Sequence, residues 1–180
     1  MRLPVVLLAV TAAAWSQGQM PVKHVAAVST AEKPLLSFAT MSELEAQLDG
    51  RINAAGGAEP MVLIGPARAL YLLGYGAVVT QEVSLVVTPT VSPFRGAITP
   101  KEVTQVHQRK LERLPLIRQV MRDMWTTTAS SLNMVPANEQ IVVAVRLLYK
   151  SWEDTRGLPG QLVLRGSRGA GASGVQMEEQ

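Results

Sequence analysis

The sequence predicts an α+β protein: a two-layer sandwich in which two helices cover one face of a four- or five-stranded, mostly antiparallel sheet. Two segments repeat apolar residues at helical spacing, and the longer of them contains a proline. Other segments alternate β-branched residues with period two around a glycine-rich break. A chain of 180 residues that is 47% hydrophobic is long enough to build one core.

The first helix is predicted from Thr40. Two residue pairs have the spacing of a capping box, Thr40 with Glu43 and Ser42 with Glu45, and a glycine pair at 56–57 supplies the stop. Its apolar residues recur at three- and four-residue spacing and so share one face: Met41, Leu44, Leu48 and Ile52.

A β-hairpin is predicted around the glycine-rich segment 74–76, because short hairpin turns need positive φ values. The segment 77–88 alternates branched residues like a strand, and the apolar run 61–64 is a brief strand or the start of one. If residues 74–76 form the loop, Arg68 lies opposite Glu82. That register predicts an ion pair between the two strands.

The long helix has the clearest start signal in the chain. Thr99 is placed to cap it, Pro100 suits the first helical position, and Glu102 completes a capping box. The helix is predicted to run to about Asn133. Pro115 lies inside it and removes a backbone hydrogen bond, so a kink or a break into two segments is expected near this residue.

The segment 140–149 is predicted as a central strand, because both of its faces are largely apolar. If this strand pairs in parallel with 77–88, the long helix forms the crossover connection between them. A final short strand is expected at 161–165. Residues 167–180 are rich in glycine and have no apolar period, which predicts a disordered tail.

The N-terminus has the three-part pattern of a secretory signal peptide. Arg2 gives a short positive start, a run of apolar residues follows, and small residues precede a polar exit at Gln17. The pattern predicts a signal peptide at 1–16, cut near Ser16, with a cut after Ala14 as the alternative. An arm or linker at 17–40 and a single domain at 41–166 follow. The apolar run is too short to span a bilayer, and no transmembrane helix is predicted in the mature protein.

Composition excludes several chemistries. The absence of cysteine removes disulfides, thiolate nucleophiles and cysteine-ligated metals. The chain has two histidines; His24 falls in the arm, and His107 is interpreted as an exposed residue of the long helix. We therefore predict no catalytic residue, no metal site and no cofactor. The net charge of +3 is too small to indicate a nucleic-acid partner.

Two segments are candidates for contact with a partner. The polar loop after the central strand contains Trp152, Glu153 and Asp154, and exposed aromatics beside charges are common in recognition surfaces. The long helix is basic, with Arg118 and Arg122 spaced to share a face that could meet an anionic polymer. Both features also have ordinary structural readings, as a core lid and as the solvated side of an amphipathic helix.

These observations favour a small exported protein, periplasmic or secreted, that acts without catalysis as a binding or assembly module. Its partner would be an envelope protein or an anionic envelope polymer. The alternative is a carboxylate-based envelope hydrolase, for which the candidate groups are Glu82, Glu153 and Asp154.

Export can be tested by N-terminal sequencing of the protein recovered outside the cytoplasm. We expect the mature chain to begin at Gln17, or at Trp15 if the alternative cut is used. Recovery of the chain only from the cytoplasm with Met1 intact would contradict the signal peptide.

Overall fold

A computed structural model describes residues 36–90 and 96–180, which form two helices and one five-stranded open sheet. The sheet order follows the chain, β1-β2-β3-β4-β5; β2 and β3 are parallel and every other neighbouring pair is antiparallel. The predicted α+β fold is confirmed. The elements are α1 Phe38–Ala54, β1 Val62–Leu72, β2 Gly76–Ser84, α2 Pro100–Ser131, β3 Gln140–Leu147, β4 Gln161–Ser167 and β5 Gln176–Glu179.

The predicted signal peptide and residues 17–35 of the predicted arm lie outside the described residues.

The parallel pairing of β2 with β3 places β3 at the centre of the sheet, as predicted. Parallel neighbours need a crossover connection, and α2 supplies it. The second face of β3 is covered only in part, because Val142 is buried whereas Arg146 is exposed.

The core lies between one face of the sheet and the two helices. On α1 it contains the four apolar residues that the periodicity selected. Strand β3 contributes Ile141, Val143, Val145 and Leu147, and α2 contributes a stripe that includes Leu114, Ile117, Met121 and Met124. Alternation with period two on the strands and with period three or four on the helices therefore reports burial correctly here.

Helix α1 begins at Phe38, earlier than predicted. Its N-cap is Ser37, whose hydroxyl accepts a hydrogen bond from the Thr40 backbone N–H at 3.1 Å. Neither predicted capping box forms, because the helix already continues through Thr40 and Ser42. The Glu45 side chain therefore takes no part in a cap and accepts a hydrogen bond from strand β1 instead.

Two carboxylates of α1 bind the edge of β1. The backbone N–H of Ala69 donates to Glu45 Oε1 at 2.8 Å, and that of Ala67 donates to Asp49 Oδ1 at 2.8 Å. Asp49 also accepts a hydrogen bond from the buried Gln81 side chain, at 2.6 Å. Edge strands expose unpaired N–H groups that attract other chains, and α1 occupies two of them in β1.

Helix α2 starts as predicted. Thr99 and Glu102 form a reciprocal capping box, and Pro100 occupies the first helical position. The helix then continues without interruption to Ser131, so the predicted alternative of two segments is wrong. Pro115 is exposed within it, and the kink there stays a prediction.

The predicted hairpin exists, but its register is shifted. Leu72 pairs with Gly76, which leaves residues 73–75 as the loop, and Arg68 lies opposite Thr80 rather than Glu82. The prediction of an ion pair between Arg68 and Glu82 is therefore wrong. Glu82 pairs with Arg146 on the parallel neighbour β3, at 3.4 Å.

The predicted disordered tail is also wrong. After two short 3-10 turns the chain returns as β5, which pairs with β4 and places Met177 against the core. Gly166 of β4 packs closely against Trp125. A Cβ at this position would lie 3.3 Å from the Trp125 ring. The prediction of disorder used the glycine content of the segment. Composition does not reveal that β4 has an unpaired edge with which this segment can form a strand.

The turn between β1 and β2 depends on Gly76. Its φ is +131°, and a Cβ at this position would lie 1.9 Å from the carbonyl oxygen of Gln140. We expect Gly76→Ala to destabilise the fold by at least about 3 kcal/mol, because strain and a backbone clash combine. Chemical denaturation monitored by circular dichroism measures this difference.

Gly74→Ala is the matched control. Gly74 also has positive φ, at +77°, but a Cβ there meets nothing within 4 Å. The control isolates the strain of the left-handed conformation, about 1–2 kcal/mol. Equal losses in the two variants would contradict the close approach to Gln140.

Candidate functional site

The loop after β3, residues 148–160, is fastened to α2 by a buried ion pair. The ammonium of Lys110 bonds a carboxylate oxygen of Glu153, and both side chains are almost completely buried, at 1% and 2% exposure. Lys110 Nζ also approaches the carbonyl oxygen of Leu148 at 3.4 Å. Burial lowers the pKa of Lys110, whereas the adjacent Glu153 acts in the opposite direction.

Tyr149 completes this buried cluster. Its ring lies under the Lys110 ammonium, 4.6 Å from the nitrogen to the ring centroid, and its hydroxyl donates to the carbonyl of Pro159 at 2.6 Å. Burial and the nearby Glu153 raise the pKa of Tyr149 to about 12. The phenol therefore stays protonated at neutral pH and its hydrogen bond joins the two ends of the loop.

The predicted partner-binding residues in this loop have internal contacts. Trp152 is half-buried and packs against the core, and Glu153 is the buried partner of Lys110. Asp154 pairs with the exposed Arg156, whose guanidinium lowers the pKa of that carboxyl. These contacts favour the interpretation of Trp152 as a lid over the core rather than as an exposed anchor for a partner.

His107 on α2 is half-buried, not exposed as expected. Its Nδ1–H donates to the carbonyl oxygen of Asp154 at 2.9 Å. This bond makes a second connection between α2 and the loop, and it gives the imidazole a structural role.

An apolar pocket of about 230 Å³ opens beside the buried cluster. It lies where β2 and β3 end, because Ser84 is the last residue of β2, Val86–Thr88 come soon after it, and Leu148–Lys150 directly follow β3. Ile64 and Val87 line it and stay 52% and 60% exposed. We call this concavity the carboxyl-end pocket. In open sheets, ligands bind preferentially beyond the carboxyl ends of parallel strands.

The basic residues of α2 are largely neutralised within the chain. Arg118 forms a two-pronged ion pair with Glu179 of β5, at 2.6 and 2.9 Å. Arg109 and Arg113 share Glu59. Arg122 is exposed and has no ion-pair partner among residues 36–90 and 96–180. Of the two arginines proposed to contact an anionic polymer, Arg118 is therefore paired within the chain, and Arg122 is the one without an ion-pair partner in the described residues.

The carboxylates proposed for a hydrolase do not converge. Glu82 pairs with Arg146 on the sheet face opposite the helices, whereas Glu153 is buried against α2 and Asp154 pairs with Arg156. A two-carboxylate mechanism needs both groups to face one substrate. Within the described part of the chain, no group of three acidic or histidine side chains could share a metal ion.

The aromatic residues divide between the two ends of the sheet. Tyr149 and Trp152 lie at the carboxyl end of β3, but Tyr71 bonds Glu139 and Tyr75 bonds Gln140 at its amino end. At that amino end the hairpin exposes Leu72, Leu73 and Tyr75, at 47%, 79% and 46%. We call these three residues the hairpin end. The chain carries no charged residue from Ala69 to Gln81.

Two of these features escaped the sequence reading. In the sequence Lys110 looks like the other cations of a basic helix, because no neighbouring residue indicates that its side chain is buried. The hairpin end could have been found, because a leucine pair beside a turn glycine has no charge near it in the sequence.

No known protein family, curated protein or solved structure matches this chain. Neither helix in the described ranges is both long and apolar enough to cross a bilayer.

The buried ion pair can be tested by breaking it and by removing it. Glu153→Gln leaves the Lys110 ammonium buried without a counter-charge, and we expect a loss of about 3–5 kcal/mol in the free energy of unfolding. The double variant Lys110→Met, Glu153→Leu removes both charges and is expected to recover most of that loss. Urea denaturation of the three proteins measures both effects.

Glu59→Gln is the control, because Glu59 makes an exposed ion pair with Arg109. It should change stability by no more than about 1 kcal/mol. A double variant no more stable than Glu153→Gln would contradict the assignment of the loss to an unpaired charge.

Proposed function

We propose that this chain is a small exported protein, periplasmic or secreted, that works without catalysis as a binding or assembly module. Its partner is an envelope protein with an apolar groove. The proposal rests on the N-terminal pattern for export and on the hairpin end for binding.

The observation that carries the binding proposal is the exposure of the hairpin end. Leu73 leaves 79% of its surface in solvent, with Leu72 and Tyr75 beside it and no charge nearby in the chain. Contiguous exposed apolar residues mark interaction sites in soluble proteins. The paired strands β1 and β2 hold this loop rigidly, and a rigid loop loses little entropy when it binds.

The carboxylate-based hydrolase is not carried forward as a second proposal. Each of its candidate carboxylates is taken up by a separate cation, in separate parts of the fold.

The binding proposal is tested with the tagged mature chain in envelope extract and then with the purified partner. Leu73→Lys should weaken the complex by about 30-fold or more, the loss expected when a central apolar anchor is removed. Its melting temperature should stay unchanged, because Leu73 contributes little to the core.

Phe38→Lys is the matched control, since Phe38 is 87% exposed and lies on α1, away from the hairpin loop in the chain. It should bind the same partner with wild-type affinity. Equal affinity of Leu73→Lys and wild type would contradict docking through the hairpin end.

A further inference from the structure

We propose that the carboxyl-end pocket is a second binding site, and that it takes a small aliphatic carboxylate. The site is separate from the hairpin end: β3 has eight residues, so its two ends lie about 25 Å apart at about 3.3 Å per residue.

The lining sets the apolar part of the ligand. Val62, Ile64, Val86, Val87 and Leu148 contribute aliphatic surface, and two of these side chains remain more than half exposed. A volume of about 230 Å³ equals the room of about eight water molecules at about 30 Å³ each, which suits a chain of about six to eight carbons. The concavity is smaller than the sites that hold drug-sized molecules.

The charges set the polar part. Two charged side chains line the pocket, Lys150 and Glu153, and Glu153 is paired with the buried Lys110, which is not part of the lining. Glu153 bonds Lys110, and Lys150 is close enough to lower the pKa of Lys110 further. The Lys110–Glu153 pair is neutral in sum, so the charge that the lining leaves uncompensated is that of Lys150.

Lys150 is the group available to a ligand. It is exposed, lines the pocket, and its ammonium donates to the carbonyl oxygen of Pro89 at 3.2 Å, with no carboxylate as a partner in the described residues. An ammonium has three donors, so two remain for an incoming anion. A carboxylate on an aliphatic chain matches both the cation and the apolar lining.

The test is titration of the full mature chain with sodium octanoate, followed by amide chemical shifts. We expect saturable binding that moves the amide signals of Thr88 and Lys150 and leaves those of Leu73 and Tyr75 in place. Octylamine and octanol, which keep the chain and change the head group, should bind at least about tenfold more weakly, the factor for losing a charge-assisted hydrogen bond.

Two variants localise the effect. Lys150→Gln should weaken octanoate binding by about tenfold or more, whereas Lys101→Gln removes the same charge from the first turn of α2 and should change nothing. Val87→Asp puts a carboxylate at an exposed lining position and should abolish binding without unfolding the protein. Leu73→Lys should retain octanoate binding, which separates this proposal from the one for the hairpin end.

Three results would overturn the proposal. The first is that octanoate saturates no site, and the second is that Lys150→Gln binds it as tightly as Lys101→Gln does. A short peptide ending in leucine that binds where octanoate does not would assign the pocket to a protein C-terminus instead.

Discussion

The buried ion pair between Lys110 and Glu153 decides the geometry of the carboxyl end of the sheet. A charge with 1% exposure is costly unless it is paired and bonded, so α2 and the loop after β3 have to meet at this point. Tyr149 and His107 add their bonds around the same contact. The loop is consequently held against α2 by the ion pair and by the His107 bond, and it forms one side of the carboxyl-end pocket.

A second constraint acts on the edges of the sheet. Glu45 and Asp49 of α1 occupy two N–H groups along β1, and the opposite edge is the short acidic strand β5. Short, charged or covered edges resist pairing with another chain. Both edges are protected in this way against pairing with the backbone of another chain.

Sequence periodicity predicted the parts of this fold that depend on local pattern. The α1 stripe, the α2 capping box and the central position of β3 all follow from spacing that a single segment contains. Errors arose where a distant segment decided the outcome. The hairpin register shifted by two residues, β5 formed because β4 had a free edge, and Glu153 became buried because Lys110 lies opposite it, 43 positions earlier in the chain. Composition carries none of this information, since each case depends on which residues the topology brings together.

The two ends of β3 therefore carry different kinds of evidence about function. At the carboxyl end every candidate from the sequence also has a structural role, so loss of binding in a Glu153 variant would be confounded with loss of stability. At the amino end Leu73 is paired with nothing in the described chain and is fixed in place by the closing pair Leu72 and Gly76. Gly76 in turn lies against Gln140 of β3, since a Cβ at this position would lie 1.9 Å from the Gln140 carbonyl oxygen. The proposal for the hairpin end therefore rests on the exposed set Leu72, Leu73 and Tyr75 together rather than on any single exposed side chain.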